Sequence, residues 1–106
     1  MRRLSICLLS LFLVCHSGSA FSQDKAAGEG RYKKTCINCH GPTGKGVASY
    51  PKISGNEIPY TIENLEACRN EIKQGPNSVL MIMMSVKLTD KEILDLAAYL
   101  KDAEDK

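Results

Sequence analysis

Cys36-Ile37-Asn38-Cys39-His40 constrains this chain more than any other run in it. A C-x-x-C-H pattern is the attachment signature of a c-type haem. Its spacing has a physical reason. Two intervening residues let a single helical turn bring both thiols to one porphyrin edge, where they add across the vinyl groups as thioethers. The histidine that follows then lies beneath the iron and offers a ring nitrogen as the proximal ligand. Thiols are needed for the attachment and a neutral imidazole for the fifth ligand, so the chain is expected to fold around one haem c held through Cys36 and Cys39, with His40 on the metal.

The beginning of the chain indicates where that attachment would take place. Arg2-Arg3 precedes an almost unbroken apolar run from Leu4 to Cys15, and Gly18-Ser19-Ala20 supplies small residues for cleavage. This is the pattern of a secretory signal peptide over residues 1–20, with cleavage after Ala20 or, as the alternative, after Ser22. The apolar run is too short for a permanent span, and no later segment is long enough for one. Of the five cysteines, Cys36, Cys39 and Cys68 remain after cleavage, and His40 becomes the sole histidine. The net charge of +2 belongs to Arg2 and Arg3, so the exported chain is formally neutral. A neutral chain lacks the basic footprint of a nucleic-acid binder. About 86 residues remain, enough for one domain, and a domain this small commonly needs a staple. Only one disulfide could form among three thiols, whereas a covalently held haem would itself supply a core.

The pattern along the rest of the chain reads as helices and long connections. Asp24 to about Thr35 is expected to be a first helix with Asp24 as N-cap, Gly28 and Tyr32 sharing one face. Gly41 to Ser54, rich in glycine and proline, is expected to be a loop. Pro59 to Lys73 reads as a second helix, with Pro59 in its first position, Ile62, Leu65, Cys68 and Ile72 as an apolar stripe, and Gly75-Pro76 as its stop. Asn77 to Lys87 is expected to be another connection. Thr89-Asp90-Lys91-Glu92 is a capping box that opens a last helix to about Asp102, burying Ile93, Leu96, Ala97 and Leu100. No stretch alternates with a period of two. The expected fold is all-α, three main helices and long loops wrapped around one haem, in a domain spanning residues 24–102.

With one histidine, the sixth coordination position falls to a methionine, to a lysine, or stays open. Met81, Met83 and Met84 all lie in the connection before the last helix. A thioether is a soft neutral donor that favours ferrous iron and raises the potential.

From Ala27 to Leu100 the chain resembles the small bacterial monohaem class I cytochromes c. The resemblance rests on Gly28 and Tyr32 ahead of Cys36-x-x-Cys39-His40-Gly41, on Gly44-Lys45-Gly46, Pro51-Lys52-Ile53 and Gly55, and on Leu88 to Ile93 followed by Leu96-Ala97-Ala98-Tyr99-Leu100. It implies that Gly28 and Tyr32 cross the last helix near Tyr99. It implies that Pro51 offers its carbonyl to the free ring N–H of His40 and that Ile53 packs on the haem face. It also implies a ligand methionine seven positions before Leu88, which is Met81, with Met83 and Met84 as alternates. The proline that often follows that methionine in relatives is replaced here by Met83.

The expected function is that of a periplasmic one-electron carrier rather than an enzyme, exchanging electrons with redox protein donors and acceptors. An alternative is the cytochrome subunit of a larger dehydrogenase, such as a flavoprotein that oxidises sulfide or a molybdenum enzyme. A structural zinc module with Cys36, Cys39, His40 and Cys68 as ligands is a reading from another class, although adjacent Cys39 and His40 suit a tetrahedral site poorly. Cys68 itself reads as a packing residue on an apolar stripe. Lys45, Lys52 and Lys87 read as ordinary surface lysines near the haem edge, with steering of an acidic partner as the other reading.

Overall fold

A computed structural model describes residues 23–105. The expected leader, with its expected cleavage positions at Ala20 and Ser22, lies outside the described residues. The order of elements is α1 (Lys25–Thr35), the single turn α2 (Ile37–His40), α3 (Ile58–Arg69), α4 (Ser78–Ser85) and α5 (Asp90–Asp102), closed by a 3-10 turn at Ala103–Asp105. Among the described residues there is no strand, only an isolated bridge between Val47 and Tyr50. None of their helices is long and apolar enough to cross a membrane.

The crossing of α1 and α5 is the centre of the fold. Asp24 caps α1, its carboxylate accepting from Ala27 N at 3.1 Å. The face α1 turns inward consists of Gly28 and Tyr32. A Cβ at Gly28 would stand 2.9 Å from the Tyr99 Cβ and closer still to the main-chain carbonyl of Asp95, so only glycine permits this approach. Tyr32 and Tyr99 stack at a tilt with ring centroids 5.4 Å apart. On the other side of the crossing, Ile93, Leu96, Leu100 and Ala103 complete a core that Leu88 closes from below.

Polar groups fix how the two helices meet. Thr89 and Glu92 form the full capping box of α5, and the second carboxylate oxygen of Glu92 accepts from Arg31 Nε at 2.6 Å. Buried Asp95 accepts from the main-chain N–H of Asp24 at 2.9 Å and from Lys91 Nζ at 2.7 Å. Each carboxylate therefore serves its own helix and ties it to α1.

Two sequence-based expectations need correction. The second helix stops at Arg69 rather than Lys73. Glu71 adopts φ +61°, its N–H reaches Cys68 O at 3.0 Å, and Ile72 N reaches Ala67 O at 2.9 Å. This is a Schellman termination made without glycine, which leaves Ile72 off the apolar stripe and exposed. The helix also begins one residue early, so Pro59 is its second position. The second correction concerns the connection from Asn77 to Lys87, whose core is the helix α4. Val79 to Met84 is an uninterrupted run of Val, Leu, Met and Ile with no glycine or proline, and Leu and Met are good helix formers. Among the described residues the main helices are therefore four, with the C-x-x-C-H turn as a fifth short one.

Candidate haem site

α2 is a single turn that follows α1 almost without a break. Cys39 N and His40 N both reach Cys36 O, at 3.2 and 2.9 Å. The turn ends at Gly41, whose φ of +84° suits glycine. That local geometry brings Cys36, Cys39 and His40 to one wall of a cleft of about 1090 Å³. Among the described residues no disulfide joins Cys36, Cys39 or Cys68, so the thiols of the turn are not tied up with one another. Burial pushes the Cys36 thiol up from its ordinary value, with the Thr35 hydroxyl and then Arg31 opposing it.

His40 is buried, and its Nδ1 lies 2.8 Å from the carbonyl oxygen of Pro51. A carbonyl can only accept, so Nδ1 must carry the proton and donate. The lone pair is thereby left on Nε2, the nitrogen free to bind a metal, and a ligating imidazole is usually oriented in this way. The loop that delivers Pro51 is pinned to the same turn: Gly46 N reaches His40 O at 2.9 Å, and the Tyr32 hydroxyl donates to Gly41 O at 2.5 Å. The Tyr32 phenol is pushed up to about 12, chiefly by burial.

Opposite elements complete the cleft. Pro51 and Ile53 line it from the loop, Thr61, Leu65 and Cys68 from α3, Met81, Met84 and Ser85 from α4, and Leu88, Leu96 and Leu100 from the core. Met81 is half-buried; Met84 lines the cleft but is half exposed. Met83 is 61% exposed and is not among the lining residues. The structure thus brings together Cys36, Cys39, His40, Pro51, Ile53, Met81 and Met84, and leaves Met83 outside.

Sequence reasoning missed Thr61 and Ser85. Both are buried, both line the cleft, and neither side-chain oxygen has a hydrogen-bond partner. The available signal was register: Thr61, Leu65 and Cys68 recur at helical spacing, and Ser85 lies one turn after Met81.

The zinc reading fails on geometry. Among the described residues no three His, Cys, Asp or Glu side chains gather where they could hold a metal ion, and Cys68 is buried on α3. Burial pushes the Cys68 thiol up, as suits a packing residue. Lys52 is not free either, since it pairs with Glu104 at 2.6 Å.

The cleft fits a haem on its own evidence. It is apolar, is of the size of a cofactor site (roughly 300–1,000 Å³), and has two thiols and an oriented imidazole on one wall. No Asp or Glu lines it. A helical fold with such a cleft behind a C-x-x-C-H turn defines a class of small haem proteins that carry electrons.

Comparison with known proteins agrees. The family model described as cytochrome c matches residues 25–104, and the chain belongs to that family. It is 39% identical over 82 residues to cytochrome c-554(548) of Halomonas halodenitrificans, covering 76% of this chain and 98% of that protein. It is 34% identical over 65 residues to a thiosulfate dehydrogenase electron acceptor of Stutzerimonas stutzeri, covering 60% of this chain but only 30% of the relative. The structure of cytochrome c4 from Acidithiobacillus ferrooxidans superposes with a TM-score of 0.68 at 24% identity over 80% of this chain, which spans 52% of that one. The expected fold class and cofactor hold: this is an all-α cytochrome c with haem c attached through Cys36 and Cys39, and it is an electron carrier.

Proposed function

We propose that the chain is a periplasmic one-electron carrier whose iron is held between His40 and Met81. The observation that carries this reading is the Nδ1–H of His40 held by Pro51 at 2.8 Å, facing a cleft that Met81 also lines. When bound, the haem supplies a ferric/ferrous couple. The residues supply the rest. Pro51 fixes the imidazole tautomer and raises its basicity. Ile53, Leu65, Leu96 and Leu100 keep water from the cleft, so few dipoles must reorient when charge moves. Two neutral donors, imidazole and thioether, hold the metal in both oxidation states and favour the ferrous one.

Met81 is preferred because it lines the cleft and is the least exposed of the three methionines of α4. The test is the visible spectrum of the haem-loaded ferric protein with Met81→Ala, Met83→Ala and Met84→Ala. Met81→Ala alone is expected to abolish the sulfur-to-iron charge-transfer band and turn the iron high-spin. Loss of the band in Met84→Ala instead would reassign the ligand. Export is tested by the amino terminus of the periplasmic protein, expected at Phe21 or Gln23.

A second reading is supported by the relative described as a thiosulfate dehydrogenase electron acceptor. Under it, the chain takes electrons from a dehydrogenase of sulfur compounds, as a diffusing acceptor or as its cytochrome subunit. Rapid reduction of the haem by such a dehydrogenase with its substrate, or co-purification with a flavin or molybdenum subunit, is the supporting result.

A further inference from the structure

Buried hydroxyls in folded proteins find partners, and an unpartnered one needs a reason. Ser85 is wholly buried on α4, lines the cleft, and its Oγ has no hydrogen-bond partner. A serine inside a helix commonly bonds back to the carbonyl four residues earlier. Here that carbonyl belongs to Met81, and Ser85 does not take it. Its hydroxyl hydrogen is therefore not used by the helix and cannot be used by solvent.

Register says where it can go. Residues four apart lie on the same helix face, and side chains tilt toward the helix N-terminus, so the Ser85 side chain leans toward the position of Met81. Both side chains line the same cleft. With Met81 serving as a ligand, its thioether sulfur keeps a lone pair on that face, which can accept a weak hydrogen bond.

We infer that Ser85 is a positioning residue for the sixth ligand, donating its hydroxyl to Met81 Sδ and so setting the potential of the carrier. This rests on the assignment of Met81 to the iron. A donated hydrogen bond draws electron density from the sulfur. A weaker donor stabilises ferric iron less, so the bond raises the tendency to be reduced. It also restricts the rotamers of an otherwise adaptable side chain.

The test uses the haem-loaded protein with Ser85→Ala, Thr61→Val and Met81→Ala, read by redox titration and by the ferric sulfur-to-iron band. Ser85→Ala is expected to keep the band, shift its position, and lower the reduced-to-oxidised ratio at fixed ambient potential by about threefold, the scale of a neutral hydrogen bond made unequally by two states. Thr61→Val, which removes the other unpartnered hydroxyl of the cleft, is expected to shift the ratio less and leave the band in place. In the ferrous wild type, a slowly exchanging Ser85 hydroxyl proton should show a nuclear Overhauser contact with the Met81 ε-methyl group. That measurement requires no variant to fold. An unchanged potential and band in Ser85→Ala, an equal shift in Thr61→Val, or a Ser85 hydroxyl proton with no contact to that methyl overturns the inference. If the band survives in Met81→Ala, it is the ligand assignment that has failed.

Discussion

At the α1–α5 crossing, protein packs on protein: Gly28 lies against the Asp95 carbonyl, Tyr32 stacks on Tyr99, and Asp95 and Glu92 have their oxygens bonded. On the wall made by α3 and α4 the situation is reversed. Val79, Leu80 and Met84 are each more than half exposed although they line the cleft, and the hydroxyls of Thr61 and Ser85 have no partner. The first region is complete in itself. The second is shaped for something that is not polypeptide, and α4, at eight residues, is too short to be stable alone. The same chain thus holds a rigid frame and a wall whose packing partner is the haem.

The largest effect expected comes from removing the attachment. Cys36→Ser with Cys39→Ser should give exported protein with no covalent haem, scored by haem stain on a denaturing gel and by the pyridine haemochrome spectrum. A haem-stained band in that variant would break the link between the α2 turn and the wall it serves.

Next comes the frame itself. Gly28→Ala inserts a methyl into a main-chain carbonyl, and overpacking a tight site costs about 1–3 kcal/mol or more. Denaturant unfolding of the haem-loaded protein should show that loss, whereas Gly30→Ala, where an added Cβ meets nothing, should show a small gain or none. Equal effects at the two glycines would contradict the crossing.

Smaller effects sharpen the same comparison. Thr89→Ala removes the N-cap of α5 and should cost about 1 kcal/mol. Glu92, in the same capping box, is held below its ordinary value, first by the Thr89 main-chain N–H and further by Arg31. A depressed carboxylate stabilises the fold above its unfolded value of about 4.3 and loses that contribution as pH falls through the folded value. Thermal midpoints of wild type and Glu92→Gln should therefore differ at neutral pH and converge as the solution is acidified toward pH 3 or so. The smallest effect is a gain. Glu71→Gly relieves a left-handed residue at the end of α3 and should raise stability by about 1 kcal/mol, read as a higher denaturant midpoint.

The two regions were unequally legible in the sequence. The crossing was readable because its signals are local: a capping box at Thr89 and Glu92, an Asp24 cap, and apolar residues at helical spacing. The C-x-x-C-H turn was readable because two thiols and an imidazole at that spacing serve one chemistry. The wall was harder. Nothing at Glu71 announces a Schellman turn, because the residue in the left-handed conformation is not glycine, and Gly75-Pro76 offered a stop further on. The methionines of α4 are as much helix formers as ligands, so their density alone does not reveal a helix. Thr61 and Ser85 are ordinary hydroxyl residues in sequence and become informative only when burial leaves them without partners.

Native-state hydrogen exchange on the haem-loaded wild type and Met81→Ala tests the dependence of the wall on the metal most directly. Amides of α4 and the end of α3 should lose protection in Met81→Ala while those of α1 and α5 keep theirs. Equal loss across all four helices, or no loss in α4, would contradict the division into a self-sufficient frame and a wall held by the iron.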